Sequence, residues 1–150
     1  MSLDKFKIEK TTRFLLDHLD SEAKVEITVE GDGCQLNIET DASGLLIGRH
    51  GETLQALQHI LRLMMAKEFE EFIPLSLDIA GYRTLRRGEI EDMTKKAAEK
   101  VVNFGGSEAL PPMGAYERRL AHMILQEFEN LEGISEGEEP DRRIIVKLKK

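Results

Sequence analysis

Residues 44–54 read Gly44-Leu45-Leu46-Ile47-Gly48-Arg49-His50-Gly51-Glu52-Thr53-Leu54. This stretch places a Gly-x-x-Gly loop with two basic middle residues between two apolar helical segments. Glycine adopts backbone conformations that other residues resist, and it has no Cβ to keep a sugar-phosphate at a distance. The helix predicted to begin at Glu52 points free N–H groups and its positive dipole end at the same place. We therefore predict that residues 48–51 bind phosphate, with Arg49 and His50 as side-chain donors.

The flanking sequence predicts the order helix, strand, strand, helix, loop, helix, strand over residues 4–81. Apolar spacing of three to four residues indicates a helix over 4–19, with its stripe at Ile8, Thr12, Leu15 and Leu19. Alternating apolar residues on both sides of Gly31-Asp32-Gly33 indicate a hairpin, and a last strand follows Pro74. Asp41 or Ser43 is expected to cap the short helix before the loop.

This order, with the Gly-x-x-Gly loop in the middle, resembles a type II KH domain, a module that binds RNA and single-stranded DNA. The resemblance implies an α+β fold with a three-stranded sheet and helices on one face. It also implies that Gly48, Arg49, His50 and Gly51 clamp about four nucleotides of backbone, and that Ile47 belongs to an apolar groove for bases. The alternative is a corner between two helices, in which the glycines only relieve backbone strain.

The helix predicted over residues 52–69 carries more apolar surface than one core needs. One face holds Leu54, Leu57, Leu61 and Met64, and the rest of the helix holds Ala56, Ile60, Leu63 and Met65. A helix that is apolar nearly all round is buried on several sides or covered by a partner. We therefore expect a homodimer, or pairing with another KH protein, through this helix.

A second unit is predicted after Gly81, so that the chain divides into domains 1–81 and 82–150. A helix over 82–104 is expected to bury a stripe formed by Leu85, Met93, Ala97, Val101 and Phe104. A second helix covers about 115–128, and closing strands surround an acidic loop near Ile134 and residues 144–146.

Arg118 and His122 stand four residues apart on that second helix, so both project from one face, and Arg119 adjoins the first. A guanidinium beside an imidazole offers several donors to one phosphate, and either plane can stack on a base. This pair resembles the signature of the R-three-H domain, named for Arg-x-x-x-His, which is thought to bind single-stranded nucleic acid. The alternative is a coincidental pair on a helix surface.

A type II KH domain followed directly by an R-three-H domain resembles the C-terminal part of the Jag, or SpoIIIJ-associated, family of bacterial cytoplasmic RNA-binding proteins. The likeness covers about residues 3–148, without the additional N-terminal domain that family members often carry. Its motifs are the stretch 44–54, Ile79-Ala80-Gly81-Tyr82-Arg83, Leu110-Pro111-Pro112-Met113, Glu117-Arg118-Arg119-Leu120-Ala121-His122 and Ser135-Glu136-Gly137-Glu138-Glu139-Pro140. The resemblance further implies that Arg83 and Arg86 are second-rank contacts to nucleic acid.

The formal net charge of −7 argues against a protein that coats nucleic acid generally, because non-specific affinity comes mainly from Lys and Arg. The charge is unevenly distributed: residues 127–141 hold seven acids and no base, whereas residues 142–150 hold five bases and no acid. The single Cys34 excludes an internal disulfide framework and is typical of a reducing cytoplasm. No apolar run approaches the roughly 20 residues of a membrane span.

These observations favour a cytoplasmic regulator that binds single-stranded RNA without catalysis, with single-stranded DNA left open as a second ligand. The alternative is a protein-interaction module, in which the apolar helix and the acidic loop recruit another protein. An enzyme has little support, because the four histidines and Cys34 show no zinc spacing and no nucleophile is paired with a base. We predict no cofactor, no metal and no catalytic residue.

Overall fold

A computed structural model describes residues 2–19 and 22–150, and the chain divides into two compact units, 1–83 and 84–150. The first unit contains helix α1 (Lys5–His18), strands β1 (Ala23–Glu30) and β2 (Gly33–Thr40), helix α2 (Ser43–Ile47), a 3-10 turn (Arg49–Gly51), helix α3 (Glu52–Phe69) and strand β3 (Leu75–Ile79). This is the predicted order. Helix α4 (Tyr82–Phe104) follows, and the division between the two units falls after Arg83.

The sheet of the first unit has the order β1-β2-β3, with β1 antiparallel and β3 parallel to the central β2. Side chains alternate between its two faces, so Leu36, Ile38 and Leu77 enter the core whereas Glu26, Gln35 and Ser76 face away from it. Helices α1 and α3 cover the apolar face, as expected for an α+β unit with its helices on one side. Their main contributions to that core are Ile8, Leu16, Leu54, Leu61 and Met65.

The second unit holds most of α4 together with β4 (Ser107–Ala109), α5 (Ala115–Leu125), β5 (Leu131–Glu136) and β6 (Arg143–Leu148). Its sheet has the order β4-β6-β5 and is antiparallel throughout. The core forms where Ile90, Ala98 and Val101 of α4 meet Ala121 of α5 and Val146 of β6. Part of the acidic stretch 127–141 is therefore strand β5, whose Glu132 pairs with Lys147 of β6.

Several expectations about individual residues were wrong. The residue before α2 is Ala42, and neither Asp41 nor Ser43 caps that helix with its side chain. Helix α5 ends at Leu125, three residues earlier than expected, and is followed by turns. Three residues that were expected in the core are exposed: Leu19, Leu85 and Phe104. Leu16 and Met65, which were not placed in the expected apolar stripes, are buried. No helix in the described parts of the chain is both long and apolar enough to cross a membrane.

Candidate nucleic-acid interface

The Gly-x-x-Gly loop joins α2 to α3 through one tight turn. The chain leaves α2 at Gly48, which has φ 71° and ψ −175°, and it enters α3 after Gly51, which has φ 79°. Hydrogen bonds from Gly51 N to Gly48 O (3.4 Å) and from Glu52 N to Arg49 O close the turn. His50 between the two glycines also has a positive φ, at 53°. Three of the four loop residues are thus held in conformations that L side chains rarely adopt.

The two glycines are required by packing within the protein itself. A Cβ at Gly48 would lie 2.2 Å from Thr53 Oγ1, and a Cβ at Gly51 would lie 2.9 Å from Tyr82 Cε1. The space left by the missing side chains is therefore filled by Thr53 and Tyr82, and Gly51 is buried. This corrects the expectation that the absent Cβ atoms make room for a sugar-phosphate. The glycines instead allow the turn to pack closely against α3 and the start of α4.

The accessible part of the loop consists of Arg49 and His50. The Arg49 side chain is exposed and His50 is half-exposed, and neither forms an ion pair or side-chain hydrogen bond within the described chain. Their backbone N–H groups also have no backbone acceptor among the described residues. Arg49 has helical backbone angles and His50 left-handed ones, a sequence that turns successive N–H groups toward one point and favours anions.

Helix α2 presents an apolar residue beside this loop that the sequence reasoning missed. Leu45 is 73% exposed, although its neighbour Leu46 is buried in the core. Ile47, the expected groove residue, is half-buried and packs against the core cluster. The consecutive leucines contained the signal, because a five-residue helix on a core cannot bury both of them.

Arg83 is tied to strand β3 although it is exposed. Its Nε donates to Leu77 O at 2.9 Å, and its Nη2 donates to Gln58 Oε1 at 3.0 Å. These bonds hold the guanidinium along the edge of the sheet. A nucleic-acid contact by Arg83 would use only its remaining N–H groups.

Arg86 is occupied inside the second unit. Its Nε and Nη2 donate to the two carboxylate oxygens of Glu117 at 2.7 and 3.1 Å, and its Nη1 lies 3.2 Å from Glu89 Oε2. The side chains of Arg86 and Glu117 are only 16% and 11% exposed. This bidentate pair joins α4 to α5, so Arg86 uses these donors inside the second unit, and its contact with nucleic acid stays a prediction.

Arg118 is likewise committed to the fold. Its side chain is 11% exposed, with Nη1 donating to Met113 O at 2.7 Å and Nη2 lying 2.8 Å from Glu139 Oε1. The guanidinium thus ties the extended segment before α5 to the loop between β5 and β6. The expectation that Arg118 presents several free donors to a phosphate does not fit this arrangement.

The outer surface of α5 carries accessible groups one turn apart. His122 is half-buried. Its Nδ1 lies 3.2 Å from the point where a Cβ atom would stand if Gly133 carried a side chain. Arg119 is exposed and has no hydrogen-bonding or ionic partner among the described residues. Tyr116, three residues before Arg119, is 67% exposed and was missed in the sequence. Residues three apart on a helix are neighbours, so an aromatic ring and a guanidinium share this face.

Comparison with known proteins gives two family matches that follow one another along the chain. Residues 5–75 match the KH domain of KhpA/KhpB, and residues 88–148 match the R-three-H domain. An RNA-binding protein KhpB of Clostridium symbiosum is 35% identical over 95% of this chain and 66% of its own length. The chain belongs to the KhpB (Jag) family.

Two further members of the KhpB family show the same relation. The RNA-binding protein KhpB of Lactiplantibacillus plantarum is 33% identical over 77% of this chain and 36% of its own length. That of Bacillus subtilis is 27% identical over 85% of this chain and 63% of its own length. The chain thus spans about one third to two thirds of these curated relatives. The predicted resemblance to the Jag family, with a KH domain followed by an R-three-H domain, is confirmed.

Proposed function

We propose that this protein is a regulator that binds single-stranded RNA, with the loop 48–51 holding the phosphate backbone. The observation that carries the proposal is the turn at Arg49 and His50. Two backbone N–H groups and two basic side chains, all without partners among the described residues, meet there at the start of the 18-residue helix α3. A helix N-terminus and converging N–H groups both favour anions. The name of the KhpB relatives, RNA-binding protein, supports RNA as the ligand.

In this proposal the KH region is residues 1–81 and the R-three-H region is residues 82–150. Gly48 and Gly51 set the shape of the loop, while Arg49 and His50 contact phosphate. Leu45 and Ile47 offer apolar surface to a base. In the R-three-H region, Arg119 and His122 contact the strand, and Tyr116 stacks on a base, an interaction that tolerates any sequence.

We assign Arg118 and Arg86 to support of the R-three-H region, because their donors are used by Met113, Glu139 and Glu117. Arg83 keeps a secondary role through its exposed N–H groups. The 2′-hydroxyl is the feature by which RNA differs from DNA. We therefore propose RNA as the principal ligand, with single-stranded DNA of the same sequence as the comparison.

The test is the affinity of the full chain for a short fluorescent single-stranded RNA, measured by anisotropy. The double variant Arg49→Asp with His50→Asp removes both side-chain donors and adds like charges, so it should bind at least about 30-fold more weakly, since charged hydrogen bonds contribute about 1.5–3 kcal/mol each. The control is Lys10→Asp with His59→Asp. It makes comparable charge changes at exposed positions on α1 and α3.

Salt provides an independent measurement of the same contact. Binding that releases counterions from phosphates weakens as salt rises, with a slope of about −0.7 per contact for single strands. The double variant should show a shallower slope than the parent chain and the control. Equal affinities and equal slopes in all three chains would contradict the proposed contact.

A second candidate function is a protein-interaction module, which the outer face of α3 favours. Ile60 and Leu63 are exposed there, one turn apart, and Ala56 lies on the same side. We propose this face as the surface for pairing with another KH protein. Replacing both Ile60 and Leu63 by Gln should abolish capture of such a partner while leaving RNA affinity unchanged.

A further inference from the structure

The two edge strands of the first sheet differ in whether their outward-facing backbone groups have hydrogen-bond partners. Strand β3 forms one edge, and side chains occupy its outward-facing backbone groups. The bonds are Arg62 Nε to Leu75 O (2.9 Å), Leu77 N to Gln58 Oε1 (2.9 Å), Arg83 Nε to Leu77 O (2.9 Å) and Ile79 N to Asp78 Oδ1 (2.8 Å). Covering an edge in this way prevents another strand from pairing with it.

Strand β1 forms the other edge and is eight residues long. The two-residue turn after Glu30 makes Glu30 and Gly33 a hydrogen-bonded pair, so Val25, Ile27 and Val29 turn their N–H and C=O groups away from β2. Among the described residues, none of these six groups has a partner. Farther along the same edge, the Arg13 guanidinium donates to the outward carbonyl of Ala23.

The side chains along this edge are also incompletely covered. Val25, Ile27 and Val29 point to the core side of the sheet but stay half-exposed. Their neighbours on β2, Leu36 and Ile38, are fully buried. The apolar layer of the sheet therefore continues to the β1 edge and ends there in contact with solvent.

We propose that β1 pairs antiparallel with β1 of a second copy of this chain, around a two-fold axis at Ile27. The two sheets would then form one continuous six-stranded sheet. Such pairing satisfies the six outward backbone groups of each copy and brings Val25 of one copy beside Val29 of the other. Two-fold symmetry repeats every contact, which makes the surface self-complementary.

The charges on the outer face select this register. With Ile27 opposite itself, Lys24 of one copy lies opposite Glu30 of the second copy, and Glu26 lies opposite Thr28. Opposite charges directly across a strand pair are favourable, and like charges are unfavourable. Sliding the pairing by two residues toward the turn would oppose Glu26 of each copy with Glu30 of the other. Parallel pairing in register would oppose Lys24 with Lys24 and Glu26 with Glu26.

The β1 edge specifies its partner, whereas the exposed face of α3 does not. On α3 the residues Ile60 and Leu63 are apolar and exposed, but they do not specify what covers them. On β1 the backbone pattern requires an extended strand, and the charge order fits its own copy. The proposal goes beyond RNA binding and does not depend on it.

The experiment is sedimentation velocity on the full chain from low to high micromolar concentration. The parent chain should pass from monomer to dimer with a weak association constant. A single pair of strands buries less surface than standard interfaces do, whose lower limit is about 1,200 Å². Lys24→Glu and Glu30→Lys should each weaken dimerisation at least about tenfold, because each opposes like charges at both contacts. Lys10→Glu on α1 is the matched control and should dimerise like the parent.

Mixing the two charge variants gives the decisive outcome. In a heterodimer of a Lys24→Glu chain and a Glu30→Lys chain, unlike charges face each other at both contacts, so the mixture should dimerise although each variant alone dimerises weakly. The double variant Lys24→Glu with Glu30→Lys tests the same pairing within one chain. That chain restores an unlike pair at both contacts and should dimerise like the parent. In the parent, the amide hydrogens of Val25, Ile27 and Val29 should exchange more slowly as concentration rises.

Three outcomes would overturn the proposed interface. They are a monomer at all concentrations, a double variant that dimerises no better than the single variants, and unchanged hydrogen exchange at the amides of Val25, Ile27 and Val29. RNA affinity, measured separately, tests the proposed function and not this interface.

Discussion

The pair between Arg86 and Glu117 allows a structural role to be separated from nucleic-acid binding. Arg86→Met retains most of the aliphatic volume and removes both hydrogen bonds to a carboxylate that is only 11% exposed. Breaking a fully buried ion pair costs about 3–5 kcal/mol, because the remaining charge is left without a partner. Since both side chains keep some exposure, we expect a loss of about 2–4 kcal/mol in the free energy of unfolding of the second unit.

The assay is urea denaturation of the full chain, followed by circular dichroism. The double variant Arg86→Met with Glu117→Met removes both charges, so it should be more stable than Arg86→Met alone by about 1 kcal/mol or more. RNA affinity, measured without urea at a temperature where the chain is folded, should stay close to that of the parent. The reasoning is refuted if Arg86→Met unfolds like the parent and binds RNA more weakly.

Three further predictions concern single residues at the two candidate surfaces. Arg118→Ala should lower the free energy of unfolding by about 1.5–3 kcal/mol, because it loses charged hydrogen bonds. Arg119→Ala should change the free energy of unfolding by less than about 0.5 kcal/mol and should weaken RNA binding. The reverse pattern in thermal melts and RNA anisotropy would be inconsistent with the assignment. Gly51→Ala should destabilise the first unit by about 1–3 kcal/mol, because it forces a positive φ and displaces Tyr82; a melting temperature equal to that of the parent would show that the turn adjusts freely. Glu52→Gln should raise RNA affinity about twofold by removing a negative charge near the loop, and a fall in affinity would place the phosphate elsewhere.

The elements of this fold were predictable because their signals are local. Alternation at Val25, Ile27 and Val29 indicated β1, and the apolar spacing in α3 indicated its length. Burial at helix ends was less predictable. Leu85 and Phe104 fit the apolar period of α4, yet they are exposed because the core does not extend to either end of that helix.

The candidate site was predictable in location but not in the role of each residue. The motif located the loop, while the reason for Gly48 and Gly51 depended on Thr53 and Tyr82, which only the packing reveals. Arg86 meets its carboxylate 31 positions away in the sequence. Composition and spacing contain no information about such a partner, so a committed arginine and a free one look alike in sequence.

Burial raises the pKa of the Cys34 thiol, which lies in β2 with 6% of its surface exposed. The thiol therefore stays protonated and unreactive near neutral pH, as expected for a small apolar core residue. Among the described residues, no group of three or more His, Cys, Asp or Glu side chains could hold a metal ion.

The most direct test of the central claim is an NMR titration of the ¹⁵N-labelled full chain with a short single-stranded RNA. If the turn at Arg49 and His50 binds phosphate, the backbone amides of these two residues should show the largest shift changes in the first unit. Replacing the RNA phosphates by neutral methylphosphonates should abolish those changes. The account is contradicted if the RNA binds while the Arg49 and His50 amides stay in place.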